Sequence, residues 1–166
     1  KIVESMRPNG VLVAQVAPRG GLISGSSSVM QLDAWNWEDA LIKTDEGIHL
    51  NWPNPYSRGR WWLGEDPALK SNKNYLPNIE KLKTFFENAK VYDPEQTPTH
   101  LPYQAMMGLY EGTKTLYLHA EDEKQIVDGI SYLKSLGIHK MVLVGGNEVL
   151  GQLAFIKTHN IPVIAS

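Results

Sequence analysis

The last fifty residues carry the clearest alternation of apolar and polar positions. "KTLYLHA" is a short run of strand formers. "EDEKQIVDGISYLKSLG" follows, with Ile126, Ile130, Leu133 and Leu136 at helical intervals. Acids open that helix and Lys134 lies near its end, both suited to the helix dipole, and Gly137 stands where a helix-ending glycine belongs. "KMVLVGG" is continuously apolar, as expected of a strand covered on both faces. "NEVLGQLAFIKTHN" reads as a second helix with Asn147 as N-cap and Asn160 as its stop, and "IPVIAS" as a third strand. Strand, helix, strand, helix, strand with short links predicts right-handed crossovers and a parallel sheet flanked by helices.

The front half is less regular. "NGVLVAQVAP" (Asn9–Pro18) is a strand that runs into the glycine- and serine-rich loop "RGGLISGSSS". "SVMQLDAW" and "ALIKTDEGIHLNW" alternate in a way that favours strands over helices. Residues 53–75 form a long irregular excursion, and loops of that length in compact domains are usually functional or mobile. "LPNIEKLKTFFENAKVY" is an amphipathic helix with Ile79, Leu82, Phe86 and Ala89 on one stripe, and "YQAMMGLYEG" a short helix ending on Gly112. Strands near 11–17, 115–119, 140–145 and 161–165 are therefore expected to lie parallel in one sheet. No repeat or linker divides the chain, so residues 1–166 read as a single domain.

Composition narrows the function classes. A net charge of −2 and a pI near 6.2 argue against a nucleic-acid binder, which needs a basic face. No apolar run approaches 18 residues, so no helix is expected to span a membrane. Zero cysteines remove disulfides, thiolate zinc sites and cysteine nucleophiles together. Gly20 and Gly25 have phosphate-loop spacing, but Ser26 stands where the lysine belongs, and Gly146–Gly151 fails likewise with Gln152 and Leu153. Both glycine stretches read as tight turns or mobile loops, and a nucleotide-binding domain has little support.

All five tryptophans fall between residues 35 and 62. Trp35 and Trp37 read as anchors of the excursion to the core, while Trp61 and Trp62, beside Arg58 and Arg60, stand between anchor and pocket lid. His49, His100, His139 and His159 show no ligand spacing and read as surface histidines. His119 ends its strand just before Glu121, Asp122 and Glu123. It is either a metal ligand at the mouth of a parallel sheet or a strand that surfaces before an acid-rich helix start, and a lone strand-end histidine is more often the latter.

Three phrases resemble successive barrel strands of metal-dependent amidohydrolases: "NGVLVAQVAPRGGLISGSSSVMQLDAWNWEDA", "LYLHAEDEKQIVDGI" and "MVLVGGNEV". The nearest subgroup is the imidazolonepropionase-like one, which includes secreted forms. The resemblance implies a (β/α) barrel of the TIM type that binds one or two divalent metals, usually zinc, at the carboxyl ends of its strands. The metal activates a water for attack on an amide or similar C–N bond. "LYLHAED" is similar to the fifth-strand segment, which makes His119 a metal ligand. "VLVGGNE" is similar to the sixth, where Gly145 takes the place of a histidine. The first-strand H-x-H pair and the last-strand aspartate have no counterpart, and Lys43 is the one weak candidate for a bridging carbamate.

The expectation is a central piece of a larger amidohydrolase catalytic domain, since the chain opens on Lys1 and stops directly after a strand-like run. The "RGGLISGSSS" loop and the Trp/Arg excursion would shape a pocket for a small-molecule substrate. Zinc would belong to the full-length parent, whose resemblance implies a periplasmic or secreted location, while this piece alone would hold no metal and be inactive. Exposed sheet edges would favour a homodimer. The rival expectation is a non-catalytic small-molecule or sugar-binding module that lost its metal, and Gly145 is the residue that favours it.

Overall fold

Connection length decides how each strand pairs. The computed structural model describes residues 2–59, 61–64, 66, 68–95 and 97–165. A short helix α1 (Ile2–Met6) leads into strands β1 (Val13–Val16) and β2 (Ile23–Gln31), and a single turn α2 (Trp37–Ala40) precedes β3 (Leu41–Asn51). A hairpin of β4 (Tyr56–Arg58) and β5 (Leu69–Ser71) stands in the excursion. Then come α3 (Tyr75–Lys90), α4 (Leu101–Tyr110), β6 (Thr115–Ala120), α5 (Glu123–Ser135), β7 (Met141–Gly145), α6 (Leu153–His159) and β8 (Val163–Ile164).

The main sheet is curled, with order β1-β2-β3-β6-β7-β8. Pairing is parallel from β3 to β8 and antiparallel between β1, β2 and β3. The parallel sheet expected from the back half is there, with β6, β7 and β8 joined by α5 and α6. The strand expected near 11–17 lies in the same sheet as β1 and runs in the same direction as β3, β6, β7 and β8; what the front half adds is β2, inserted antiparallel between β1 and β3. Parallel neighbours need a crossover of a dozen or more residues, and the links flanking β2 are shorter, so β1–β2–β3 is an antiparallel meander. The stretch "RGGLISGSSS", expected to be a loop, is mostly β2; only its first residues turn.

All four long back-half helices pack on one face of the sheet. Ile48 and Leu50 of β3, Leu116 and Leu118 of β6 and Leu143 of β7 meet Leu82 and Phe86 of α3, Met106 and Leu109 of α4, Ile126, Ile130 and Leu133 of α5, and Ile156 of α6 in one apolar cluster. Side chains alternate across a strand, so Gly47, His49 and Asn51 of β3 face away from the helices, as do Tyr117 and His119 of β6. The apolar strand "KMVLVGG" was expected to be covered on both faces; only its Met141 and Leu143 enter the core, and Val142 and Val144 are half-buried on the opposite side.

The helix ends explain the three acids after His119. Asp122 is the N-cap of α5, accepting from Gln125 N, while the Gln125 side chain accepts from Asp122 N, a reciprocal capping box. At the other end Gly137 N–H reaches Lys134 O and Ile138 N–H reaches Leu133 O, a closure that requires the positive φ of Gly137 (+89°). Asn160 stops α6 in the left-handed region as expected, but Asn147 does not cap it, because a 3-10 turn over Val149–Gln152 comes first. Trp35 and Trp37 are exposed and lie outside the core cluster they were expected to anchor to; Trp52, 5% exposed, is the tryptophan in the core. No helix is long and apolar enough to cross a membrane among the described residues.

Candidate functional site

The β3–β6 register sets Gly47 beside Thr115, His49 beside Tyr117 and Asn51 beside His119 at the carboxyl ends of two parallel strands. Gly47 is what makes the arrangement possible. A Cβ there would lie 2.4 Å from Tyr117 Cε2 and 2.8 Å from Thr115 O, so the tyrosine ring occupies the room that glycine leaves. His49 stacks on that ring, with centroids 4.7 Å apart and planes 10° apart. Its Nδ1 then lies 2.9 Å from His119 Nε2. The sequence reading had His49 at the surface; it is 8% exposed, and its Nε2 is buried without a hydrogen-bond partner.

Below the pair, Glu46 gathers the hydroxyls. Between Lys43 and Gly47 β3 has three residues where β2 has one, with Asp45 at φ 45°, and this bulge turns Glu46 onto the polar face. Thr115 Oγ1 donates to Glu46 at 2.8 Å, Tyr117 Oη at 2.9 Å and Gln15 Nε2 at 3.3 Å. Burial pushes the Glu46 carboxyl up, but the two hydroxyl hydrogen bonds and the Lys43 and Lys140 charges outweigh it and hold the group below its ordinary range. Burial pushes Tyr117 up, helped by Glu46. Burial lowers both imidazoles, and for His49 the neighbouring His119 adds to it, which outweighs the opposing Glu46 and Glu121 charges and favours the uncharged form of each ring.

A cavity of about 520 Å³ opens over the pair. Gln15, Arg19, Ser24, His49, Asn51 and His119 are among its lining residues. Asn51 Nδ2 donates to Gly21 O and Ser24 Oγ, which ties the turn before β2 to the end of β3. The expected contribution of the "RGG" turn to a pocket is present. The Trp/Arg excursion contributes no residue to this cavity among the described ones, and Trp61 and Trp62 project into solvent. Arg60 lies outside the described residues. A second cavity of about 510 Å³ lies on the helical side between β2, β3, α3 and α4, but apart from Lys81 and Ser26 its walls are apolar side chains and glycine, unsuited to chemistry.

The remaining sequence candidates separate cleanly. Lys43 lies near the start of β3, exposed and 3.6 Å from Glu46, away from the strand ends. Register sets Val144, not Gly145, opposite His119. Gly145 has φ +98°, and a Cβ on it would lie 2.4 Å from Glu121 Oε1, so a histidine there would need both strain and a moved carboxylate. Glu121 itself accepts from Asn147 N. His100 caps α4 by accepting from Tyr103 N, and His139 is exposed.

A solved crystal structure of an amidohydrolase from Thermotoga maritima MSB8 matches 95% of this chain with a TM-score of 0.76, at 17% sequence identity. The chain shares its fold with part of an amidohydrolase. It spans 42% of that protein's chain. No protein-family model matches the sequence, and no curated protein matches it.

Whether a metal fits can be judged from the donors. Catalytic zinc sites use about three protein ligands. Among the described residues no three or more His, Cys, Asp or Glu side chains converge. His119, on the rim of a polar cavity, could supply one ligand of such a shell, and the described residues do not bring two more to it.

Proposed function

We propose that this chain is the middle part of a metal-dependent hydrolase of the imidazolonepropionase-like kind, acting on a non-peptide or cyclic C–N bond of a small molecule, with His119 as a metal ligand. The observation that carries the reading is His119 itself. It ends a parallel strand on a polar cavity, one hydrogen bond from a second imidazole, in a fold shared with an amidohydrolase. A divalent ion, zinc before others, would supply a water acidic enough to attack at neutral pH. The residues of this chain bind and orient: Asn51 holds the "RGG" turn over the cavity, and Arg19 and Gln15 offer donors to a polar substrate. A periplasmic or secreted location belongs to the same proposal. The test is hydrolysis of a panel of cyclic amides by the protein at its full natural length, with chelator and with His119→Ala. Activity restored by zinc in the wild type and absent in the variant is expected; chelator-resistant turnover unaffected by His119→Ala would sink the reading.

A second reading, a non-catalytic small-molecule binding module, is favoured by Val144 and Gly145, neither of which brings a ligand atom to the strand end beside His119. It predicts saturable binding of polar small molecules to metal-free protein, seen by calorimetry, with no turnover at full length.

A further inference from the structure

His49 is a poor residue if its only task is to fill space. It is more than nine-tenths buried, yet one ring nitrogen has no partner, and buried unpaired polar atoms are rare enough to need a reason. An apolar side chain of similar size would remove that defect. The ring is nevertheless held hard in place. Tyr117 stacks on it, Gly47 makes room for Tyr117, and Glu46 anchors the Tyr117 hydroxyl. What this scaffold delivers is one contact, His49 Nδ1 to His119 Nε2 at 2.9 Å.

We propose that His49 is a positioning residue that pins the Nε2 edge of His119, so that His119 offers Nδ1 to the cavity it lines. The inference rests on the reading of His119 as a metal ligand. A neutral imidazole carries one N–H, and the ligating nitrogen must keep its lone pair. With Nε2 engaged in the contact, the ligating nitrogen is Nδ1, the proton sits on Nε2, and His49 Nδ1 accepts it. The proton of His49 is then on its own Nε2, the buried atom without a partner. The unpaired group is thus the far end of a two-ring relay that fixes a tautomer, the role that partners of metal-binding histidines commonly have. His49 touches neither metal nor substrate in this arrangement and acts only through His119.

The protein at its full natural length, ring-labelled with ¹⁵N at histidine and stripped of metal, tests this in wild type, His49→Leu, His49→Gln and His119→Ala, with Co²⁺ as the titrant. In metal-free wild type the His119 ring is expected as the Nε2–H tautomer. His49→Leu should fold with unchanged or higher thermal stability, show mixed His119 tautomers and bind Co²⁺ about 10–100-fold more weakly. His49→Gln, whose amide oxygen can accept the same hydrogen bond, should recover most of the affinity and the tautomer. His119→Ala should abolish binding. An Nδ1–H tautomer in metal-free wild type, or Co²⁺ affinity and His119 tautomer unchanged in His49→Leu, overturns the proposal. So does equal and complete loss of binding in His49→Leu and His49→Gln, which would make His49 a ligand. Failure of wild type to bind Co²⁺ would tell against His119 as a ligand, and the metal-free spectra would still decide the positioning role.

Discussion

Gly47 and Gly145 show how single residues shape the rim of the sheet. At Gly47 the obstacle to any side chain is a tyrosine ring and a backbone carbonyl, neither of which can yield easily. Gly47→Ala is expected to destabilise the chain by about 1–3 kcal/mol, as overpacking does, and to displace Tyr117 from Glu46. Urea unfolding measures the first effect and loss of the His49–Tyr117 ring-current shifts the second. An unchanged midpoint would mean that the ring has somewhere else to go. At Gly145 the nearest atoms belong to the flexible end of Glu121, so strain from its φ of +98° is the larger part of the penalty. Of this region the sequence exposed only half. His119 was visible as a strand-end histidine; His49 was not, because its partner lies 70 residues away and only the parallel register of β3 with β6 brings them together.

Among the elements, α3 and α5 depend on a small polar clamp at the edge of the core. Tyr75 Oη donates to Asp128 at 2.6 Å and Lys124 Nζ reaches the same oxygen at 2.7 Å. Burial pushes the Asp128 carboxyl up, but the Lys124 and Tyr75 hydrogen bonds and the Lys124 and Lys83 charges outweigh it and hold it below its ordinary 3.8. The unfolded chain therefore takes up a proton first as the pH falls. The stabilisation is present above about pH 4 and is lost as the pH drops through the lowered value. Asp128→Asn should cost about 1 kcal/mol at pH 7, with the gap to wild type closing below about pH 4 in chemical denaturation. A gap independent of pH would assign the loss to packing. Deeper in the interface Ile130→Ala, at a fully buried α5 position, is expected to cost about 2–5 kcal/mol. Elements with strong local periodicity, α3, α5 and the strands around α5, were legible from the residues alone. β2 was legible only in its second half, where "SVMQ" alternates; the glycine and serines in "ISGSSS" carry turn character, and what makes them a strand is pairing with β3 on one side and β1 on the other.

For the molecule as a whole, the sheet order leaves β1 with a strand neighbour on one side only, and Val13 and Val16 half-exposed along it. Unpaired strand edges invite association, and we propose that in these 166 residues taken alone, as distinct from the protein at its full natural length, this edge pairs with a second copy. Light scattering over a tenfold concentration range should show a monomer–dimer equilibrium that proline at Gln15 abolishes; a concentration-independent monomer would contradict it. The division of the sheet into an apolar helical face and a polar open face has a different consequence, one for how the gene can vary. Along β3 and β6 the even positions 48, 50, 116 and 118 answer to volume, and the odd positions 49, 51 and 119 answer to chemistry. Neighbouring codons in these strands are thus filtered by unrelated criteria. A deep mutational library sorted once for abundance and once for ligand binding should give two profiles that beat with a period of two residues and in opposite phase, each blind to the positions on which the other depends.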